Sequence, residues 1–360
     1  MHALVIGGGV AGSATAVALR LIGVEVTICE ERPAGDEDAG LWLHVAANGL
    51  SALGALGLRD ATLAESLVDP RVGTLGRSGC APIRRAGLYR LLRDEAVARG
   101  ARLIHDRKLV SADDADGHVV ARFADGSTLS GDLLVGCDGI RSRTRSIIDP
   151  DAPSPRYIPL VNVGGLSSGV DAPGQPARLR FVPCSKGFFG YTPSADRDQV
   201  WWFANLPATE PGRRELAAAT QRALSDTMLR TFDDAPPFVL DVIRATHSDL
   251  YALPTQDLPN VPTWRRGNMI ILGDAAHATT PTSGQGASMA LEDAVVLAKC
   301  LRDLPTWPEA AARYEQLRRK RVEDIVALGA RASATKLNKT SIDDSLEWVH
   351  DYRVDWATPV

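Results

Sequence analysis

The stretch "ALVIGGGVAGSATAVALRLIGVEVTICE", residues 3–30, determines the fold class. A short apolar run at 3–6 ends at Gly7, residues 10–22 repeat apolar side chains with helical spacing, and residues 24–29 alternate like a strand. Strand, glycine turn, helix and strand make a βαβ unit, whose two strands lie parallel in one sheet. The sequence therefore predicts an α/β protein with a Rossmann-like domain.

The turn of this unit has the spacing G-x-G-x-x-G at Gly7, Gly9 and Gly12, and Glu30 follows the second strand. Gly7 permits a tight turn, Gly9 lets the backbone approach a pyrophosphate, and Gly12 lets the helix pack closely on the strand. The free amides of a helix N-terminus favour phosphate, and the Glu30 carboxylate can accept hydrogen bonds from a ribose diol. The loop predicts a dinucleotide site and leaves FAD and NAD open.

Composition excludes several classes of protein. The chain has 360 residues, 45% of them hydrophobic and 23% charged, with a net charge of −4, so no basic surface for nucleic acid is expected. No apolar run approaches the ~20 residues of a membrane span. The five cysteines are scattered without a CxxC pair and the seven histidines include no HExxH. We expect a cytoplasmic monomer or homodimer without a metal. The basic cluster 318–321 is predicted to be a solvated helix face.

The pattern of the chain changes after Asp149. Residues 150–262 are rich in proline and aromatic residues, and the run 269–272 then returns to the pattern of a buried parallel strand. We therefore predict a nucleotide-binding domain in two pieces, 1–150 and 263–335, with an inserted mixed-sheet substrate domain at 151–262. Residues 336–360, which include "LEWVHDYRVDW", are predicted to pack as a C-terminal segment.

Further elements follow from periodicity and turn residues. The expected helices are 87–99, about 213–231, 286–303 and 309–331. The expected strands are 103–104, 119–123, 129–135, 178–182, 188–192 and 200–205, with a hairpin turn at Asp125-Gly126.

Two more motifs lie after apolar runs. "DLLVGCDGIRSRTR", residues 132–145, brings Asp138 and three arginines to the carboxyl end of a strand. "GDAAHATTPTSGQGASMALEDA", residues 273–294, places a carboxylate, a proline and several glycines between a strand and a helix. In open α/β sheets ligands bind at that edge, so both motifs are candidates for the same site.

Taken in this order, the three motifs resemble those of the group A FAD-dependent monooxygenases, the family of the para-hydroxybenzoate hydroxylase-like aromatic hydroxylases. The resemblance covers residues 7–294, and its most specific part is GDAAH followed by P-x-x-G-Q-G and ED. "PIRRAGLYRLL", residues 82–92, also resembles the R-x-x-L helix start of the family. The resemblance selects FAD over NAD for the first loop.

The resemblance implies a role for each matching residue. Gly7, Gly9, Gly12 and Glu30 would hold the ADP half of FAD, and Glu31 stands where the family commonly has a basic residue. Arg85 would face the pyrophosphate, Leu109 would lie on the adenine side, and Asp138 would sit behind the pyrophosphate, where NAD(P)H could dock transiently. His44 would lie near the ribityl chain, and Asp274 would bind pyrophosphate or ribityl hydroxyls. The isoalloxazine ring would be lined by Pro281, Gly284, Gln285, Gly286, Ala287 and Ser288. His277 is expected to be structural.

The implied function is that of an FAD-dependent monooxygenase, which uses NADPH or NADH and O2 to hydroxylate an aromatic or electron-rich small molecule through a flavin C4a-hydroperoxide. An epoxidase of an alkene and a flavin-dependent reductase of isoprenoid double bonds stay open on the same scaffold. An NAD-binding dehydrogenase and a non-catalytic flavin sensor are alternatives of another class, but a dehydrogenase leaves residues 273–294 unexplained.

The substrate side is less defined. In "QVWWFAN", residues 199–205, the adjacent tryptophans point to opposite sheet faces, so only one can face the flavin. We select Trp202, with Phe189 and Tyr191, as residues that line the substrate pocket, and leave Trp201 as the alternative. Tyr191 is also the candidate general base, followed by His247.

Overall fold

The computed structural model describes residues 1–35, 42–66, 80–115, 117–176, 178–194, 198–211, 220–246, 250–338 and 347–360. The strands in chain order are β1 (His2–Ile6), β2 (Glu25–Cys29), β3 (Trp42–Val45), β4 (Ala81–Arg84), β5 (Arg102–Ile104), β6 (Leu109–Ala115), β7 (His118–Phe123), β8 (Thr128–Gly131), β9 (Leu133–Gly136), β10 (Arg156–Ser168), β11 (Arg180–Pro183), β12 (Phe188–Pro193), β13 (Gln199–Pro207), β14 (Tyr251–Asp257), β15 (Arg265–Arg266) and β16 (Met269–Ile271). The helices are α1 (Val10–Leu21), α2 (Ala47–Ala55), α3 (Arg59–Ala64), α4 (Arg85–Ala98), α5 (Arg143–Ile148), α6 (Gln221–Thr231), α7 (Pro237–Arg244), α8 (Asp274–His277), α9 (Gly286–Asp303), α10 (Trp307–Asn338) and α11 (Glu347–His350), with a short 3-10 turn at Pro281–Ser283.

A six-stranded sheet, in the spatial order β15-β16-β9-β1-β2-β5, is formed by strands within residues 2–136 and 265–271. All of its neighbouring strands pair in parallel except β15 with β16. Its central strands are buried on both faces, as expected of a sheet that helices cover on each side. The predicted α/β class and the predicted βαβ start are confirmed.

The prediction of one strand at 129–135 was wrong, because the segment divides at Asp132. Residues 128–131 belong to a three-stranded sheet, β6-β7-β8, whereas residues 133–136 belong to the six-stranded sheet. Asp132 stabilises the crossing: its carboxylate accepts a hydrogen bond from the amide of His2 at 2.7 Å, and its own amide donates to the His2 carbonyl at 2.8 Å. The predicted hairpin turn lies between β7 and β8, where Gly126 has a φ of 83°.

A five-stranded antiparallel sheet, in the order β11-β12-β13-β10-β14, occupies the middle of the chain. Strands β11, β12 and β13 agree with the strands predicted near 180, 190 and 203. Strand β10, which pairs with β13, strand β14, which lies at the edge beside β10, and the helix α7 were not predicted. Strand β10 escaped detection because Pro159 and the glycine pair 164–165 interrupt its apolar pattern, and its pairing with β14 has an irregular register there. Of the helix predicted near 213–231, residues 212–219 lie outside the described part. The division into domains at 150 and 263 stays our prediction.

The two faces of this antiparallel sheet have different surroundings. Residues directly opposite in the register share a face, so Phe189, Tyr191 and Trp202 lie on one side and Trp201 and Phe203 lie on the other. The first side, called the core face here, packs with the helices α6 and α7 into a closed hydrophobic cluster. The second side, called the pocket face, contacts the two-stranded sheet β3-β4 through aromatic rings.

The last described residues pack against helices: α11 contacts α2. Val349 and Val354 are buried, and the Lys299 ammonium donates to the Asp355 carbonyl at 2.6 Å. The basic cluster 318–321, however, is not a solvated face. Arg318 is fully buried, and only the side chain of Lys320 is largely exposed, at 86%. None of the described helices combines the length and apolarity needed to cross a membrane.

Candidate functional site

The glycine loop after β1 places backbone amides at the carboxyl edge of the sheet. Gly7 has a φ of 97°, and a Cβ there would stand 2.6 Å from the Cys137 carbonyl oxygen. A Cβ on Gly12 would stand 1.8 Å from the carbonyl oxygen of Gly7, so the helix can approach the strand only with glycine at this position. Gly9 differs, because a Cβ there would meet only Tyr89, at 3.8 Å. Gly7 and Gly12 therefore serve packing, and Gly9 leaves open space at the start of α1.

Glu30 is held against this loop by backbone amides. Its two carboxylate oxygens accept hydrogen bonds from the amide of Gly8 at 2.6 Å and from the amide of Arg32 at 3.0 Å. The segment before Leu109 runs beside it, since the amide of Arg107 donates to the Glu30 carbonyl at 2.8 Å. Leu109 itself is buried at the start of β6. The structure thus brings Glu30 and the Leu109 segment to one side of the glycine loop, while Glu31 is exposed next to them.

Opposite Gly9 stands the first turn of α4. The Arg85 guanidinium donates to the Tyr89 hydroxyl at 2.7 Å, and the Tyr89 ring is the group nearest to the open side of Gly9. Desolvation raises the pKa of Asp274, and Arg85 is close enough for its charge to oppose that rise. A cation that faces a helix N-terminus across the open space at Gly9 fits a diphosphate.

Asp274 begins the stretch that follows β16. Its carboxylate faces the cleft, and its Oδ1 lies 3.9 Å from the position of a Cβ on Gly286, at the start of α9. Burial at the floor of the cleft raises the pKa of Asp274, and the charges of His277 and Arg85 oppose that shift. Gly284, with a φ of 62°, has nothing within 4 Å of a Cβ position, so the loop presents a bare surface beside Pro281. Such a surface beside a helix N-terminus fits a flat ring that carries partial negative charge.

The side chains of Gln285 and Ser288 point away from that surface. The Gln285 side chain is buried and accepts a hydrogen bond from the Asn48 amide at 2.9 Å, and the Ser288 hydroxyl accepts one from the amide of Ala46 at 3.1 Å. That the backbone of Gln285 and Ser288 lines the cofactor site stays a prediction. Their side chains bind the start of α2, at Asn48 and Ala46.

A buried charge network lies beneath α9 and was missed in the sequence. Asp293 accepts hydrogen bonds from the Gly273 amide at 3.0 Å, from His277 Nε2 at 2.6 Å and from Arg318 Nε at 2.7 Å. Burial alone would raise the pKa of Asp293, but His277 and Arg318 together hold it well below its usual value. Glu292 pairs with Arg318 at 2.6 Å and with Arg321 at 2.9 Å. The "ED" of the motif thus fixes Gly273, next to Asp274, to the long helix α10.

Asp138 has its carboxylate occupied by its own loop. It accepts hydrogen bonds from the Ser142 hydroxyl at 2.6 Å, the Thr144 amide at 2.9 Å and the Thr144 hydroxyl at 3.1 Å. Arg145 is buried and donates to the carbonyls of Ile140 and Ala275. The Arg145 guanidinium therefore joins this loop to α8.

His44 lies on β3 beside the loop at 284–288. Burial lowers its pKa to about 4, so its imidazole is neutral at physiological pH. Its ring contacts Trp42 with centroids 4.7 Å apart. The structure places His44 near the start of α9, because the amide of Ala46 bonds to Ser288 two residues further along the chain.

The structure places Phe189, Tyr191 and Trp202, the pocket residues predicted from the sequence, on the core face. Trp202 is fully buried and donates from Nε1 to Ser167 and Thr246, and the Tyr191 hydroxyl donates to the Pro173 carbonyl at 2.8 Å. Phe189 stacks on Trp202 with centroids 5.4 Å apart. All three belong to the hydrophobic cluster that the core face forms with α6 and α7, and their role at the substrate stays a prediction. His247 lies outside the described residues.

The pocket face carries a second set of aromatic residues, in which Trp201 is buried and Phe203 is half-buried. Trp42 from β3 contacts Trp201 at 6.3 Å and Phe203 at 5.9 Å between ring centroids. Tyr251 shares this face, because it pairs with Gly164, which in turn pairs with Phe203. A Cβ on Gly164 would stand 2.7 Å from the Tyr251 ring, so glycine gives that ring its room. Only the strand register distinguishes this set from the core set.

Comparison with known proteins identifies the cofactor. Residues 1–328 match the family described as an FAD binding domain. The chain is 31% identical to the aurachin C monooxygenase/isomerase of Stigmatella aurantiaca, over 90% of this chain and 86% of that protein. It is 29% identical to the FAD-dependent urate hydroxylase of Mycolicibacterium vanbaalenii, over 100% of this chain and 94% of that protein.

The fold is shared with a solved structure. The Klebsiella pneumoniae HpxO complexed with FAD and uric acid superposes with a TM-score of 0.80, at 26% identity, over 93% of this chain and 88% of that one. Relatives of this kind support FAD over NAD for the glycine loop and a monooxygenase over a dehydrogenase. Within the described residues, no cluster of histidine, cysteine and carboxylate side chains is arranged to hold a metal ion.

Proposed function

We propose, on the premise that this chain belongs to the family of FAD-dependent monooxygenases, that it hydroxylates a flat aromatic substrate held between the flavin and the pocket face. The enzyme class follows from the relatives: the chain is an FAD-dependent monooxygenase that acts on a small molecule, and NAD(P)H is the reductant typical of this family. The single observation that carries the proposed substrate position is the ring contact between Trp42 and the pocket face, beside the start of α9.

The cofactor contacts are proposed from the geometry of the cleft. Gly9 and the N-terminus of α1 would hold the pyrophosphate, with Arg85 facing it and Asp138 keeping the neighbouring loop in shape. Glu30 would bind the ribose and Asp274 the ribityl hydroxyls, since each carboxylate lies at the carboxyl edge of the parallel sheet. The backbone between Pro281 and Ser288 would border the flavin ring.

The chain's own groups would supply position and electrostatics. FAD, when bound, takes a hydride from NAD(P)H and activates O2 for transfer to the substrate. The N-terminus of α9 offers free amides and about half a positive charge to a ring that gains negative charge on reduction. The aromatic rings of Trp42, Trp201 and Phe203 would exclude water from the substrate and orient its plane. Tyr251 joins Tyr191 as a candidate for proton transfer, because its phenol faces the cleft near Arg85, although burial raises its pKa.

Two properties of the protein in the cell complete the proposal. We place it in the cytoplasm, because its cysteines are free thiols and three of them are buried, as is common in reducing compartments. We propose that it works as a monomer or homodimer, with O2 as co-substrate.

The experiment that tests this function uses the purified, FAD-loaded protein with β-naphthol as an electron-rich aromatic probe. We expect NAD(P)H oxidation to accelerate on addition of the probe, and one oxygen atom from isotopically labelled O2 to appear in the product. A protein that purifies without flavin and does not take up added FAD would contradict the cofactor assignment. A flavin-loaded protein that oxidises NAD(P)H but never labels an aromatic product would contradict the hydroxylase.

A further inference from the structure

Strands β3 and β4 present one face to the pocket. In their antiparallel register Trp42 lies opposite Arg84, and His44 lies opposite Pro82. Residues directly opposite each other, and residues two apart on one strand, project to the same side. The side chains of Trp42, His44 and Arg84 therefore share the face that Trp42 turns towards Trp201 and Phe203.

Arg84 contacts the pocket face itself. Its guanidinium carbon lies 4.8 Å from the centroid of the Trp201 ring, within the range of a cation–π contact. Trp201 is the member of the tryptophan pair that faces away from the core cluster. Arg84 is thus in contact with the aromatic wall of the proposed substrate pocket.

The charge of Arg84 is not neutralised by a carboxylate in the part of the chain that the structure describes. The contrast with other arginines is clear: Arg318 and Arg321 pair with Glu292, and Arg156 pairs with Asp257. The Arg84 side chain is exposed, so its donors stay free for a ligand while one side of the guanidinium rests on indole. An arginine in this state can bind a carboxylate with two parallel hydrogen bonds.

Two further polar groups of the pocket face are unpaired. The indole Nε1 of Trp201 and the hydroxyl of Thr192 are buried and have no hydrogen-bond partner among the residues that the structure describes. Thr192 pairs with Trp201 in the strand register, so both groups are on the pocket face. Unpaired buried donors cost free energy that a ligand acceptor can recover, and one of the two belongs to the indole that Arg84 contacts.

The opposite end of the same face carries no fixed charge. His44, two residues from Trp42 towards the loop at 284–288, is neutral because burial lowers its pKa to about 4. Arg85 is directed to Tyr89 and Asp274, on the cofactor side of the cleft. On the face formed by β3 and β4, positive charge is therefore available to a ligand at Arg84, away from the flavin.

We propose that Arg84 determines specificity by binding a carboxylate or other anionic group of the aromatic substrate, at the end of the pocket remote from the flavin ring. The ring of the substrate then extends along Trp42 and Trp201 towards His44, where the flavin would deliver oxygen. This assignment deepens the proposed function and depends on it, because it takes the pocket face as the substrate site.

The test measures binding without turnover. Titration calorimetry of the FAD-loaded protein compares β-naphthoate with β-naphthamide, which have the same shape and differ in charge. We expect the wild-type protein to prefer the carboxylate by about tenfold, the effect of one charge-assisted hydrogen-bonded pair. Arg84→Gln should abolish the preference, and Arg84→Lys, which keeps the charge but not the two parallel hydrogen bonds, should retain part of it.

The control is Arg90→Gln, since Arg90 is an exposed arginine of α4 outside the cleft, and it should retain the full preference. Flavin content, measured on each variant, shows that the fold is intact. A wild-type protein that fails to bind β-naphthoate or binds both probes equally, or an Arg84→Gln variant that keeps the preference, would overturn the assignment. These outcomes are separate from failure of the proposed function, because labelling of β-naphthol by O2 does not depend on an anionic group.

Discussion

The two walls of the proposed site present different atoms to a ligand, backbone atoms on one wall and side chains on the other. The wall on the six-stranded sheet, which we call the cofactor wall, consists of the loops at 7–12, 273–274 and 284–288 and presents backbone atoms. The facing wall, which we call the substrate wall, consists of β3-β4 and the pocket face and presents the side chains of Trp42, Trp201 and Phe203.

The support behind the walls also differs. The cofactor wall rests on a buried ion network in which Asp293 holds Gly273, His277 and Arg318. The substrate wall rests on a hydrophobic cluster whose largest rings are Phe189 and Trp202. Backbone amides bind a ligand only if the residues behind them fix their positions, which the ion network does. On the other wall, a side chain that faces the ligand can be replaced without changing the hydrophobic cluster behind it.

The largest effect should come from breaking the foundation of the cofactor wall. Arg318→Met would leave Glu292 and Asp293 buried without that cation, and we expect a loss of about 3–5 kcal/mol in the free energy of unfolding. Lys320→Met, on the same helix, removes an exposed pair with Asp324 and should leave the free energy of unfolding nearly unchanged. Urea denaturation at saturating FAD measures both, and equal midpoints would contradict the network's importance.

A second pair of variants separates packing from ligand space within the cofactor wall. Gly12→Ala places a Cβ against the Gly7 carbonyl, and we expect it to destabilise the fold by about 1–3 kcal/mol or more and to lose FAD. Gly9→Ala meets only Tyr89, so the protein should fold with little loss of stability but bind FAD more weakly. Thermal denaturation of the apoprotein and FAD titration distinguish the two effects. If Gly9→Ala binds FAD as tightly as the wild-type protein, Gly9 does not face the cofactor.

A third pair tests the two faces of the substrate sheet. Trp202→Phe loses the hydrogen bonds to Ser167 and Thr246 and should cost about 1 kcal/mol more stability than Trp201→Phe, whose Nε1 has no partner to lose. Trp201→Phe should instead weaken β-naphthoate binding. Chemical denaturation and calorimetry on both variants give the comparison; weaker binding in Trp202→Phe alone would reverse our assignment of the faces.

The smallest effect concerns pH. Because burial lowers the folded-state pKa of His44 from 6.5 to about 4, the unfolded chain binds more protons between these values, and stability falls as the pH is lowered through that window. His44→Gln removes this contribution, so its stability should depend less on pH than that of the wild-type protein. The measurement is the difference in unfolding free energy between neutral pH and about pH 5 for the two proteins. Identical pH dependence would show that His44 is not desolvated.

Local patterns were sufficient for the cofactor wall. The βαβ unit, the strand at 269–271 and the helix that begins at Gly286 were all predictable, because glycine spacing and hydrophobic period act over a few residues. The same reasoning failed for the basic cluster 318–321, since nothing near Arg318 in the sequence reveals that its carboxylate partners lie about 25 residues earlier, on another helix.

By itself the sequence determined the fold class, the dinucleotide loop and, through the motif at 273–294, the preference for FAD. Those features depend on glycine spacing and hydrophobic period, which act over a few residues. Only the tertiary structure decided that Trp201 and not Trp202 contacts Trp42 and Arg84. The reason is physical: a shift of one residue in strand register moves a side chain to the other face of a sheet, and the register depends on β10 and β14, which pair across long distances in the chain.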